Sequence, residues 1–292
     1  MKKITKAIIL CGGMGTRFLP ITKAIPKEML PILDKPILQL ILEKLKDAGI
    51  KDVLIIVGRG KECILNYFDK DVELEFTLKN RGKEELLQKV VSLTNLMNIY
   101  YIRQKEPLGT GYSLLLAKNF FKNEPFLYTF GDEYIFEKGN SYLDLIKDYE
   151  KCNENLIAVS RVEKAQLHKY GIIKFSNKKE SLLQVDGIVE KPKVEDAPSD
   201  LSYIGTAIFN KDILKILGNI KFDKNRELGV TEGLEILAKE QKLYAKIIDK
   251  DRFDLGDKLG FIKANLRVAM EDETIKNNML NYLNQIINLN QL

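Results

Sequence analysis

One histidine in 292 residues sets the first limit on what this chain can do. A histidine-based metal site or a Ser/His/Asp triad would rest on His168 alone, and the polar run HKYG (168–171) reads as surface. Cysteine is as scarce. Cys11, Cys63 and Cys152 lie far apart and form no Cys-x-x-Cys pair, which argues against a disulfide framework or a zinc site and for a reducing compartment. Long apolar runs are missing too. The opening MKKITKAIILCGG (1–13) mimics a leader, but its apolar run Ala7 to Cys11 is short and breaks at Gly12-Gly13. Nothing approaches the roughly 18 apolar residues of a membrane span, so a cytoplasmic protein with no membrane partner is expected. The net charge of +5 comes mainly from scattered lysines, with no run of five basic residues. That pattern reads as a solvated surface rather than a nucleic-acid footprint.

What is present alternates. Short apolar runs at 7–10, 52–58, 98–104 and 125–133 read as buried strands, and helical periodicity falls at 36–49, 61–69 and 111–121. Strand–helix alternation predicts an α/β fold with a Rossmann-like, mostly parallel (mixed) sheet flanked by helices. Ligands of such sheets sit at the carboxyl ends of the strands. The Gly-Gly, Arg-Gln and Gly-Asp-Glu steps after the first, third and fourth strands all lie at that edge. Strand patterns at 155–163, 170–176, 182–192, 202–210 and 243–249 make the second half a β-richer lobe. The domain reading is a catalytic unit over 1–257, divided near 135, then a helical tail over 258–292. The tail's apolar stripe suggests a packing or self-association helix, hence a homo-oligomer, dimer or tetramer. The Pro- and acid-rich stretch 191–200 reads as a surface loop.

Three groups of residues could carry chemistry. Gly12-Gly13-Met14-Gly15-Thr16-Arg17 follows a buried strand, where glycines let main-chain amides cradle an anion and Arg17 adds a charged fork. The spacing is neither G-x-G-x-x-G nor a Walker A loop. Lys27 and Glu28, flanked by Pro26 and Pro31, could meet phosphate from the other side and orient a base; a solvated pair on a turn is the plainer reading. Asp132, after the fourth strand, and Asp254, in RFDLGD (252–257), could share one octahedral Mg²⁺ if folding joins them. Their neighbours Glu133 and Asp257 read as helix or loop charges.

The stretch GTRFLPITKAIPKEMLPILDKP (15–36) resembles the signature of the bacterial UTP–glucose-1-phosphate uridylyltransferases, or UDP-glucose pyrophosphorylases, within the sugar nucleotidyltransferases. The resemblance continues in GRGK (58–61), RQKEPLG (103–109), VEKPKVEDAPSDL (189–201) and RFDLGDKLGFIKAN (252–265), in the family's order. It implies that Gly12, Gly13, Gly15, Thr16 and Arg17 wrap the nucleotide phosphates and that Lys27 contacts them. It implies Glu28 near the base, Gln104 hydrogen-bonded to uracil, and Gly109 letting backbone approach the base. It assigns Mg²⁺ to Asp132 and Asp254, and the sugar phosphate side to Gly171, Glu190, Lys191 and Gly205. The implied substrates are UTP and glucose 1-phosphate, and the products UDP-glucose and pyrophosphate.

Some blocks depart from the pattern. IILCGGMG (8–15) is closer to the opening of thymidylyl- and cytidylyltransferases. Thr110-Gly111-Tyr112 stands where Leu-Gly-His is usual, GDEY (131–134) where a Pro-Asp pair is common, and RELGVTE (226–232) where the family has a Gly-Glu-Ile-Gln-Leu-Thr-Asp motif. A thymidylyltransferase on the same fold, and a non-catalytic sugar-nucleotide sensor, are the competing readings.

Overall fold

The computed structural model describes residues 3–179, 181–221 and 226–289. The chain opens with β1 (Lys6–Cys11), makes three short 3-10 turns at 16–18, 21–23 and 27–29, and forms β2 (Pro31–Ile32) and β3 (Lys35–Pro36) before α1 (Ile37–Asp47). Then come β4 (Asp52–Val57), α2 (Glu62–Phe68), α3 (Val72–Asn80), α4 (Glu84–Thr94), β5 (Asn98–Arg103), α5 (Thr110–Leu116), α6 (Lys118–Phe121), β6 (Phe126–Phe130), β7 (Glu133–Phe136) and α7 (Ser141–Cys152). The second half supplies β8 (Asn155–Arg161), β9 (Gly171–Lys179), β10 (Leu182–Glu190), β11 (Leu201–Phe209), α8 (Asp212–Asn219), α9 (Val230–Lys239), β12 (Leu243–Ile247), β13 (Asp251–Asp254), α10 (Lys258–Ala269) and α11 (Lys276–Leu289).

Nine strands form one sheet in the order β5-β4-β1-β6-β11-β8-β12-β10-β9. The first four are parallel, so β1, β4, β5 and β6 all end at the same edge. From β11 onward the sheet is mixed: β11 runs antiparallel to β6 and β8, and β12 parallel to β8. The strands of the second half thus continue the sheet begun by the first. Alternation decides which helices each face meets. Ala7, Ile9 and Cys11 of β1 face the layer of α1 and α7, whereas Ile8 and Leu10 face the layer of α5, α8 and α9. Buried on both faces, β1 and β4 read as continuous apolar runs.

Local sequence sets the helix ends. In α1, Ile37, Leu38, Ile41, Leu42 and Leu45 fall on one wholly buried stripe, and the chain leaves through Gly49 at φ 91°. The side chain of Asn140 caps α7, accepting from the N–H groups of Tyr142 and Leu143. Two expected elements divide. The helix expected over 111–121 tightens at Ala117, whose N–H bonds back three residues to Leu114, and restarts as α6. The strand expected over 125–133 stops at Phe130. The Gly131 N–H still reaches the Leu10 carbonyl at 3.1 Å, but the chain then turns into β7, which pairs with β13 in a separate ribbon. A Cβ on Gly131 would lie 2.4 Å from the Cys11 sulfur, so only glycine allows that turn.

The tail is helical, as its pattern suggests. α10 docks through Phe261, edge-on to Phe18 at 5.6 Å, and Asn265, whose Oδ1 accepts from the Leu33 N–H at 3.0 Å. α11 keeps Tyr282 and Ile287 exposed; residues 290–292 of the expected stripe lie outside the described residues. His168 is exposed, and all three cysteines are free. No helix among the described residues is long and apolar enough to cross a membrane.

Candidate active site

A cavity of about 550 Å³ opens at the carboxyl edge of the parallel strands and extends under β9, β10 and β11. Gly12, Gly13 and Arg17 of the glycine turn form one wall. Gly15 sits behind it at φ 67°, its carbonyl accepting from the Thr22 hydroxyl at 2.8 Å. Lys27 crosses the turn: an added Cβ would lie 3.7 Å from its ammonium at Gly13 and 3.4 Å from its Cβ at Gly15. Both are ordinary packing distances, so the lysine lies directly against the turn. Gly15 and Thr16 themselves do not line the cavity.

Lys27 forms a short ion pair with Asp132 at the end of the β6 turn. Burial works against its charge, but Asp132 and Glu28 outweigh burial and hold the ammonium above its ordinary value. Glu28, beside it in sequence, is wholly buried. Both of its oxygens accept from the Lys61 ammonium at 2.8 Å. Burial still pushes the Glu28 carboxyl up, against the pull of Lys61 and Lys27. Pro26 and the 3-10 turn 27–29 hold the two side chains in different directions, Lys27 toward Asp132 and Glu28 toward Lys61.

Gln104 follows β5, its N–H bonded to the Val57 carbonyl at 2.9 Å. Its side chain lies against Gly12, where a Cβ would stand 3.2 Å from Oε1. Gly109 adopts φ 99°, and a Cβ there would stand 2.4 Å from the Leu228 carbonyl oxygen. Main-chain bonds from Leu228 N–H to Leu108 and from Gly111 N–H to Leu228, both 2.8 Å, bolt the segment before α9 onto this turn.

Asp254 is in register with Glu133 across the β7–β13 ribbon, one residue from Asp132. Asp132 and Asp254 line the same cavity. Asp254 accepts from Arg17 at 3.0 Å and from the Gly256 N–H at 2.9 Å. Burial disfavours the Arg17 charge, but Asp254, Asp132 and Asp257 more than restore it. Among the described residues no group of three or more His, Cys, Asp or Glu side chains converges on one point. A divalent ion here could take one carboxylate from each of Asp132 and Asp254, with substrate phosphate and water completing its oxygen shell. Hard carboxylate donors suit magnesium.

On the far side, Gly171 of β9 is in register with Glu190 of β10, and a Cβ on Gly171 would stand 3.1 Å from the Glu190 carboxylate. Lys191, at φ 46°, donates its N–H to the Tyr170 carbonyl, and its ammonium lies 3.8 Å from Glu190. Gly205 marks a register shift in β11 at φ 74°; the Phe130 ring fills the space a side chain would need. Gly171, Glu190, Lys191 and Gly205 all line the cavity.

Sequence reasoning passed over several wall residues. Glu133, read as a helix or loop charge, is a strand residue in a largely buried pair with Arg252, whose guanidinium also lies 5.1 Å from the Tyr170 ring centre. Burial pushes the Glu133 carboxyl up while Arg252 pulls it down. Two-residue alternation in RFD (252–254) was the available signal, since it puts Arg252 and Asp254 on one face. Asp257 caps α10, accepting from Leu259 and Gly260 N–H groups. Lys61 fell within the GRGK block but without a role, and Ser113 carried no signal, because their partners Glu28 and Gln104 are remote or lie on another element.

The family model described as "Nucleotidyl transferase" matches residues 6–271, from the start of β1 to just past α10. The chain belongs to the nucleotidyl transferase family. This nucleotidyl transferase is 39% identical over 292 residues to a UTP–glucose-1-phosphate uridylyltransferase of Bacillus subtilis, with 100% of both chains covered. Its fold matches a UDP-glucose pyrophosphorylase complexed with UDP-glucose at a TM-score of 0.82 and 34% identity, covering 92% of this chain and 100% of the other. It matches the UTP-bound enzyme of Acinetobacter baumannii at a TM-score of 0.88 and 29% identity, covering 96% and 98%.

Proposed function

We propose that this nucleotidyl transferase moves the uridylyl group of UTP onto glucose 1-phosphate, releasing pyrophosphate and forming UDP-glucose. The observation that carries the reading is the convergence of two cation–carboxylate pairs, Lys27 with Asp132 and Arg17 with Asp254, on one cavity that also holds Gln104 and Glu190. Relatives covering the whole chain bear the same activity in their names, and two matching structures hold UTP or UDP-glucose.

An oxygen of the glucose 1-phosphate phosphate attacks the α-phosphorus of UTP. The new P–O bond forms as the bond to the β-phosphate breaks, and the electron pair leaves with pyrophosphate. The nucleophile is already an anion, so no strong general base is needed, in keeping with a chain whose one histidine is exposed on the surface. The chain's work is positioning and charge neutralisation. The amides of Gly12 and Gly13 and the charge of Arg17 take the phosphate chain. Lys27 meets the α-phosphate, and Lys191 meets the sugar phosphate beside Glu190, whose carboxylate suits sugar hydroxyls. Gly171 lets the Glu190 carboxylate lie close over β9 on the hexose side, and Gly205 admits the Phe130 ring into the same wall. Gln104, Glu28 and Gly109 line the place for the base. Asp132 and Asp254 would hold Mg²⁺, which supplies Lewis-acid neutralisation of phosphate charge when bound. In this reading residues 1–135 carry the nucleotide and 136–257 the sugar. The exposed apolar residues of α11 pair copies of the chain, which sedimentation would register as a dimer or tetramer.

Pyrophosphate release across UTP, dTTP, CTP and ATP, each with several sugar 1-phosphates, tests the activity. The expected result is fastest turnover with UTP and glucose 1-phosphate. Preference for another nucleotide overturns the uridylyl assignment, and no release with any pair overturns nucleotidyl transfer.

A further inference from the structure

Ser113 lies one turn into α5, buried, and touches the amide of Gln104. Its hydroxyl oxygen stands 2.9 Å from Gln104 Oε1 and 3.1 Å from the Gly109 carbonyl oxygen. A serine hydroxyl has one proton to give. The Gly109 carbonyl already receives the Ser113 N–H at 3.1 Å. Gln104 Oε1 has no other donor among the described residues. The proton therefore goes to Gln104, along the shorter contact and to the acceptor that lacks a partner. That choice orients the amide. Oε1 is held between Ser113 and the bare Cα of Gly12, while Nε2, without a protein partner among the described residues, remains free at the cavity wall.

We propose that Ser113 is a positioning residue that selects uracil over cytosine by fixing the orientation of the Gln104 amide; the proposal rests on the uridylyl-transfer reading above. The fixed amide offers a lone pair from Oε1 beside a proton from Nε2. That pair complements the N3–H and an adjacent carbonyl oxygen of uracil or thymine. Cytosine carries a lone pair at N3, which faces Oε1 and is repelled. The reversed amide would suit the N3 and amino group of cytosine. Reversal puts Nε2 against Ser113 and forces the hydroxyl onto the Gly109 carbonyl, which is farther away and must then be shared with the Ser113 N–H. The hydroxyl thus holds the amide against the reversal that cytosine requires. Thymine presents the same edge as uracil, so Ser113 does not separate those two bases.

The test compares kcat/KM for UTP, CTP and dTTP in the wild-type protein, Ser113→Ala and Ser113→Thr. Ser113→Ala is expected to lower the UTP-to-CTP ratio about five- to tenfold, the range one neutral hydrogen bond commands. The UTP-to-dTTP ratio should move less than about twofold, and Ser113→Thr, which keeps the hydroxyl, should retain the wild-type UTP-to-CTP ratio. A purely structural role would depress all three nucleotides together. An unchanged or increased UTP-to-CTP ratio in Ser113→Ala overturns the role of Ser113 while leaving uridylyl transfer intact. A wild-type preference for CTP overturns both.

Discussion

The guanidinium of Arg17 donates to Asp254 Oδ2 at 3.0 Å, joining the glycine turn after the first strand to the last strand across 237 positions of sequence. The arginine side chain is 59% exposed, so the pair contributes little to stability, on the order of 0–1 kcal/mol. Its importance is placement, since it sets a cation and a carboxylate at the same lip of the cavity. Arg17→Ala is expected to lower kcat/KM about 10- to 100-fold while the urea midpoint stays close to wild type. A stability loss without an activity loss would make Arg17 a structural residue.

Lys27 makes the opposite case, because it is largely buried. Removing it should cost about 10²–10³ in kcat, the scale of one preorganised donor at developing charge. Its folded value lies above the ordinary 10.5. The stability it contributes is therefore fully present below 10.5 and fades as pH rises through the higher folded value. The stability gap between wild type and Lys27→Met should stay constant from neutral pH to about pH 10 and narrow above that. Urea titrations at a series of pH values measure it; a gap already closing between about pH 7 and pH 9 contradicts the assignment.

Asp132→Asn keeps the shape and removes the charge from one of the two proposed metal carboxylates. The variant is expected to lose its response to added Mg²⁺, followed as pyrophosphate release and as Mn²⁺ binding by electron paramagnetic resonance. Normal metal affinity in the variant takes Asp132 off the ligand set.

The buried Glu28–Lys61 pair should show a marked asymmetry. Lys61→Met leaves a wholly buried carboxylate with only Lys27 nearby, and is expected to destabilise the fold by about 3–5 kcal/mol. Glu28→Gln together with Lys61→Met removes both charges and should recover most of that loss. Equal stability of the single and double variants would show that the unpaired Glu28 charge is not the source of the loss.

Gly109 and Gly60 separate strain from contact. Both have positive φ, 99° and 76°, but a Cβ meets the Leu228 carbonyl at 2.4 Å in the first and nothing within 4 Å in the second. Gly60→Ala should cost about 1 kcal/mol. Gly109→Ala should cost distinctly more, about 3 kcal/mol, because the bolt to Leu228 must open. Similar denaturation midpoints for the two variants would refute that coupling.

Much of this architecture is written in local pattern. The continuous apolar runs of β1 and β4, the one-sided stripe of α1 and the glycine breaks after them are short-range facts, and they identify a parallel sheet with its ligands at one edge. The motif blocks singled out Lys27, Gln104 and Asp254, and strand position singled out Asp132; all four line the cavity at the carboxyl edge. Pattern could not foresee that the chain would leave the sheet after Phe130, at a glycine whose added Cβ would lie 2.4 Å from the Cys11 sulfur, a meeting of residues 120 positions apart in the numbering. Nor could it assign Glu133 to Arg252, Glu28 to Lys61 or Ser113 to Gln104. Periodicity reports which face of an element is buried, because that depends on the repeat of its own backbone. Which charge meets which charge depends on distances between elements, and those exist only once the sheet has set its strand order and the β7–β13 ribbon has brought residues 133–136 and 251–254 together at the cavity.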